Sequence, residues 1–124
     1  MAKFKNVLLV EDDPITVMVC DKIIRNTDFA EDVQTCHNGA EALKYITDTS
    51  TVPDLIFLDL NMPVMNGWDF LQEFEGLKMD TAPRIFILSS SVDPEDIRKA
   101  GQFPIVENVI SKPLTVEHLE KITA

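Results

Sequence analysis

The sequence predicts a doubly wound α/β fold, a five-stranded parallel sheet with helices on both faces. Three observations predict it. Five short runs, Asn6–Val10, Asp32–Cys36, Leu55–Leu58, Arg84–Leu88 and Ile105–Ile110, alternate with segments of helical period. Three of the runs are apolar almost throughout, as strands covered on both faces are. The chain has 124 residues, which suits one core without disulfides or structural metal.

The helical segments follow in order. From Pro14, a residue suited to a first turn, Ile15, Met18, Val19 and Ile23 form one stripe, predicting a helix with that stripe against the core. Asn38 can cap a second helix carrying Ala40, Leu43 and Ile46. From Gly67, the residues Phe70, Leu71, Phe74 and Leu77 share a face. Asp93-Pro94-Glu95-Asp96 combines a cap, a proline and first-turn acids, with Gly101 as the stop. That fourth helix offers Ile97 and Ala100 as inward anchors. Such thin anchoring predicts a low local opening free energy and marks it as the element that reorders. Thr115 can cap a fifth helix with Val116, Leu119 and Ile122 inward.

Strands alternating with helices require parallel pairing and right-handed crossovers. In the flavodoxin-like order 2-1-3-4-5, ligands gather outside the carboxyl ends of the strands, where the order reverses between strands one and three. Composition narrows the chemistry. A hydrophobic fraction of 45% and a charged fraction of 26% are those of a soluble globular protein. A formal net charge of −10 argues against nucleic acid as a partner and would be repelled by an anionic membrane. The opening segment fits no signal peptide or membrane span, which predicts a cytoplasmic protein. Cys20 and Cys36 lack metal-binding spacing and are expected as buried or half-buried thiols.

The polar residues concentrate at the strand ends. Glu11-Asp12-Asp13 follow the first strand, Asp59 ends the third, Ser89-Ser90-Ser91 end the fourth and Ser111-Lys112-Pro113 end the fifth. With strands one and three adjacent, the acids converge. Crowded carboxylates raise one another's pKa unless a cation neutralises them. An all-oxygen ligand set suits Mg²⁺, with a backbone carbonyl near Asn61 as a further donor. Carboxylate, cation, hydroxyl and lysine at one rim make a site for a phosphoryl group. Asp59 would be the nucleophile, Ser89 would bond a transferring oxygen, and Lys112 would neutralise charge.

On the segments "LLVEDDP", "DLIFLDLNMPVMNGWDFL", "FILSSSVD" and "VISKPL", the chain resembles the receiver domain of two-component response regulators, of the chemotaxis-type single-domain kind, over essentially its whole length. The resemblance implies Asp59 as the phospho-accepting aspartate. It implies Glu11 and Asp12 as an acidic pair, Asp12 a direct Mg²⁺ ligand, and Asn61 a carbonyl donor to the metal. Ser89 matches the hydroxyl position and Lys112 the lysine before a proline, with a cis Lys112–Pro113 bond. Asp13 lies outside the usual pair and is given no direct role. Ser91 matches a position that modulates access of water. The resemblance further implies one receiver domain over residues 1–124 with no output domain. Its phosphoryl donor would be a sensor histidine kinase or histidine phosphotransfer protein docking on the first helix. A downstream protein target would bind the face of the fourth helix, fifth strand and fifth helix, and the phosphate would be slowly hydrolysed. One departure stands out. Three residues before the lysine the family usually carries Tyr or Phe, and here Val109 holds that place.

His37 and His118 are expected on the surface rather than as phosphohistidines. Trp68 is expected in the core, near enough to the site to report on it by fluorescence. Three other readings compete. A Mg²⁺-dependent phosphatase with an aspartyl-phosphate intermediate normally carries a second Asp where Asn61 stands. A flavodoxin-type binding module needs a hydroxyl-rich loop where this chain has acids. A degenerate receiver acting as a scaffold is favoured only by Val109.

Overall fold

The computed structural model describes residues 3–49, 52–77, 82–90 and 93–123. Strands and helices alternate as β1 (Phe4–Val10), α1 (Pro14–Asn26), β2 (Ala30–Cys36), α2 (Gly39–Thr49), β3 (Leu55–Asp59), α3 (Gly67–Glu75), β4 (Arg84–Ser89), α4 (Pro94–Ala100), β5 (Val106–Ser111) and α5 (Val116–Thr123). The five strands form one parallel sheet in the order β2-β1-β3-β4-β5. All five residues of β3 are buried, while β2 and β5, at the edges, carry exposed residues. The apolar runs are thus the central strands, and the mixed runs are the edges.

Alternation along the strands builds two cores. Val7, Leu9, Leu55, Phe57 and Leu88 face α1 and α5 through Cys20, Ile24, Leu119 and Ile122. Leu8, Val10, Ile56, Leu58 and Ile87 face α2, α3 and α4 through Ala42, Ile46, Phe70, Phe74 and Ala100. Cys20 and Cys36 are both buried and lie on opposite faces, so they cannot pair with each other. Burial pushes each thiol up to about 11.

Helix starts follow local chemistry. Asp13 caps α1 by accepting from Thr16 N at 3.2 Å and Thr16 Oγ1 at 2.6 Å. Asn38 accepts from Glu41 N at 2.8 Å, and Asp93 accepts from Glu95 N at 2.8 Å, as expected of both. Thr115 and His118 cap α5 reciprocally: His118 N donates to Thr115 Oγ1, and Thr115 N donates to His118 Nδ1.

Three inward assignments are corrected. Ile15 and Met18 are 68% and 63% exposed, and Val19 is exposed as well; α1 packs instead through Cys20 and Ile24. The segment from Ile15 to Ile24 is apolar around most of its circumference, so periodicity does not fix which face meets the sheet. Ile97 is 51% exposed, which leaves Ala100 as the buried side chain of α4. Val116, in the first turn of α5, is exposed beyond the edge of the core.

Candidate functional site

Register brings the predicted residues together. β1 and β3 pair up to Val10 opposite Leu58, so the next residues, Glu11 and Asp59, emerge side by side. Asp59 pairs with Leu88 of β4, and Ser89 pairs with Ser111 of β5. Lys112 N then donates to Ser89 O at 2.8 Å, holding the lysine beside the carboxylates. The Lys112–Pro113 bond is cis, as expected.

Glu11, Asp12 and Asp59 each offer a carboxylate oxygen, and the three oxygens lie within 4.8 Å of one another. Glu11, Asp59 and Ser89 are the buried polar residues among those described, while Asp12 is exposed. The cluster therefore opens to solvent through Asp12 and closes over Asp59. Lys112 Nζ lies 2.6 Å from Glu11 Oε1 and 3.3 Å from Asp59 Oδ1. The buried Glu11 Oε1 has the Lys112 ammonium as its close partner. The other oxygen, Oε2, accepts from Asp13 N at 3.1 Å.

Burial raises the Glu11 carboxyl above its ordinary value, and the Lys112 contact and Asp13 N–H only partly offset this. Burial alone would lower the Lys112 ammonium, but Glu11 and Asp59 together hold it above its ordinary value. Three clustered carboxylates with one ammonium leave negative charge in excess. With three carboxylate oxygens within 4.8 Å of one another, this donor set fits a small hard cation held by oxygens and keeping its waters. The arrangement can hold a divalent ion against the Asp59 carboxylate, with Ser89 buried at the end of the neighbouring strand β4.

The loop after Asp59 is set by close packing. A Cβ at Gly67 would stand 2.6 Å from Asp59 O and 2.9 Å from Leu60 Cα, so glycine is required there. Gly67 N donates to Leu60 O at 3.0 Å, and Gly39 N at the start of α2 donates to Met65 O at 2.9 Å. Asn61 is exposed in this loop, just beyond Leu60. Ser91 lies outside the described residues.

A family model for the response regulator receiver domain matches residues 7–124. The chain belongs to this family. The match takes in all five strands, β1 from Val7 onward, and every strand end that contributes to the site. The chain is similar to the two-component response regulator ORR41 of Oryza sativa subsp. japonica, 31% identical over 125 residues and covering 98% of this chain and 94% of that protein. It is 33% identical over 113 residues to the transcriptional regulatory protein PrrA of Mycobacterium leprae, covering 91% of this chain and 46% of that protein. It spans about half the length of PrrA and of another curated relative, the transcriptional regulatory protein CitT of Halalkalibacterium halodurans. Among solved structures, a two-component response regulator from Cytophaga hutchinsonii superposes with a TM-score of 0.89 at 33% identity, covering 97% of this chain and 94% of that one. The phosphorylated cyanobacterial phytochrome response regulator RcpA gives a TM-score of 0.80 at 27% identity, covering 97% and 89%. The receiver is a signalling module of two-component systems, and its order 2-1-3-4-5 is the order read from the sequence. Among the described residues no helix is long and apolar enough to cross a membrane.

Sequence reasoning missed two features of the site. The nearest carboxylate to Lys112 is Glu11 rather than Asp59, a relation that only the folded strand ends create. Asp13 has a structural role as the α1 cap, and the Asp-x-x-Thr spacing of Asp13 and Thr16 was a readable signal for it.

Proposed function

We propose that this receiver domain accepts a phosphoryl group on Asp59 and thereby switches a protein-docking face. The observation that carries the reading is the convergence of Glu11, Asp12 and Asp59 oxygens within 4.8 Å, with Lys112 beside them. An Asp59 carboxylate oxygen attacks the phosphorus of a phosphohistidine, the P–N bond breaks, and the imidazole leaves with its electron pair. Asp12, Asp59 and the Asn61 carbonyl would hold Mg²⁺, with Glu11 assisting as the inner acid of the cluster. The ion would supply positive charge against the transferring oxygens. Lys112 turns from the carboxylates to one phosphoryl oxygen, and the Ser89 hydroxyl donates to another. Hydrolysis by water at the phosphorus later releases phosphate and restores the carboxylate.

The donor would be a sensor histidine kinase or a histidine phosphotransfer protein. Ile15, Met18 and Val19 form an exposed apolar strip on α1 beside the site. A groove of about 340 Å³ continues it past Val19 and Cys20 to Pro113 and Leu114. Apolar surface next to the nucleophile suits a partner helix that presents its phosphohistidine there.

The test is incubation with acetyl phosphate and Mg²⁺, read by intact mass beside Asp59→Asn. The parent is expected to gain one phosphoryl group and Asp59→Asn none. An unmodified parent, or an equally modified Asp59→Asn, would overturn the reading.

A further inference from the structure

Val109 is a half-buried aliphatic residue and has no ring to swing between buried and exposed positions. A different aromatic residue joins the phosphorylation end of the sheet to α4. Gly67 is seated against the backbone of Asp59 and Leu60 with no room for a Cβ. Trp68 follows it directly, so its backbone position is tied to the segment that carries Asp59. The Trp68 ring stacks on Phe103, with centroids 6.0 Å apart and planes at 22°. Lys99 Nζ lies over the same ring, 4.7 Å from its centroid. Lys99 lies in the last turn of α4, and Phe103, just past that helix, donates its N–H to Ala100 O, so Trp68 meets the C-terminal end of α4 and the residue that follows it.

α4 is short, spanning seven residues, and Ala100 is its buried side chain. With Ile97 turned outward, the Trp68 contacts weigh heavily in fixing where this helix sits. Coupling between two sites needs an element with more than one arrangement and a contact that biases it. α4 is that element, because few buried contacts oppose its displacement. Trp68 is the contact, because the glycine before it cannot take up a shift of the Asp59 backbone without passing it on.

We propose that Trp68 is the positioning residue that couples the state of Asp59 to α4, through Lys99 and Phe103, in a chain whose position 109 cannot. The proposal rests on the reading of Asp59 as phosphoacceptor. A phosphoryl group draws on Lys112 and Ser89 and reseats the loop from Asp59 to Gly67. The indole moves with that loop as a rigid lever. Phe103 and Lys99 follow the ring, and α4 changes its position or its opening.

Hydrogen exchange of the α4 segment tests this, with Mg²⁺ and beryllofluoride, an anion that mimics the phosphoryl group on a carboxylate. In the parent the α4 exchange rates are expected to change on the order of fivefold on adding the anion. In Trp68→Leu and in Lys99→Gln that response is expected to fall below about twofold. Phosphoryl uptake from acetyl phosphate, followed by intact mass, is expected to stay at the parent level in both. Trp68→Phe, which keeps a ring, is expected to retain the response. Should Trp68→Leu fail to fold, Lys99→Gln and Phe103→Leu decide the matter. An α4 response undiminished in the variants that fold, or absent in a phosphorylated parent, overturns the inference alone. A parent that takes up no phosphoryl group overturns the reading of Asp59 and the inference with it.

Discussion

Lys112 Nζ sits 2.6 Å from Glu11 Oε1 and 3.3 Å from Asp59 Oδ1, so the site's ammonium is shared unequally between two buried carboxylates. The closer partner is the more deeply buried one. A buried pair broken from one side leaves a charge without compensation, which costs more than the intact pair contributes.

Lys112→Ala is therefore expected to act twice. In EDTA it should lower stability by about 2 kcal/mol, below the usual range for a broken buried pair because the cluster opens to solvent at Asp12. Mg²⁺ should restore much of that loss. Phosphorylation by acetyl phosphate should slow by roughly 10²-fold even in saturating Mg²⁺, as when one preorganised donor to a transition-state oxyanion is removed. Urea titration and intact-mass kinetics check the two effects separately. An unchanged phosphorylation rate contradicts the role assigned to Lys112.

Glu11 predicts a pH dependence. Burial raises its carboxyl above the ordinary value of 4.5, so the folded chain holds that proton more tightly than the unfolded one. The corresponding stabilisation is complete below pH 4.5 and is lost as pH rises through the folded-state value. Glu11→Gln lacks this titration. Urea denaturation in EDTA should show the parent losing stability relative to Glu11→Gln as the pH is raised toward neutrality. Adding Mg²⁺ should shrink that loss, since a bound cation favours the carboxylate. A parent that gains on the variant in EDTA contradicts the account of Glu11.

Gly67→Ala tests the packing of the loop after Asp59. Its Cβ would stand 2.6 Å from Asp59 O, and neither backbone has a flexible end that can yield. A loss of about 2 kcal/mol is expected, as for other overpacked sites, together with slower phosphorylation from the displaced carboxylate. Thermal denaturation at the parent's midpoint would contradict the packing account.

Much of the fold was legible because its determinants are local. The five runs, the caps at Asn38, Asp93 and Thr115, and the buried face of α3 all follow from spacing and residue type. The convergence at the site was legible through topology, since parallel strands deliver their carboxyl ends to one rim. Three kinds of feature were not. The buried face of α1 could not be read, because Ile15, Met18 and Val19 are as apolar as Val17, Cys20 and Ile24. Lys112 leans toward Glu11 because of distances between strand ends that no spacing encodes. The stacking of Trp68 with Phe103 and Lys99 depends on how α3 and α4 lie against each other.

A strained turn offers a further prediction. Val64 has φ 67°, and Met65 N donates to Pro63 O at 2.7 Å, closing a three-residue turn around it. A β-branched residue is poorly suited to that left-handed backbone, and Val64 is 85% exposed, so no burial offsets the strain. Val64→Asn is expected to raise stability by about 1 kcal/mol, because Asn tolerates this region. Chemical denaturation with an unchanged slope checks it, and a less stable variant contradicts it.

The most direct measurement of the central claim is reductive trapping of the acyl phosphate. The protein would be treated with acetyl phosphate and Mg²⁺, reduced with borohydride, and mapped by peptide mass. The account predicts conversion of Asp59 to homoserine, dependent on Mg²⁺ and absent when acetyl phosphate is omitted. Conversion at another carboxylate, or none at all in protein shown to be folded, would contradict it.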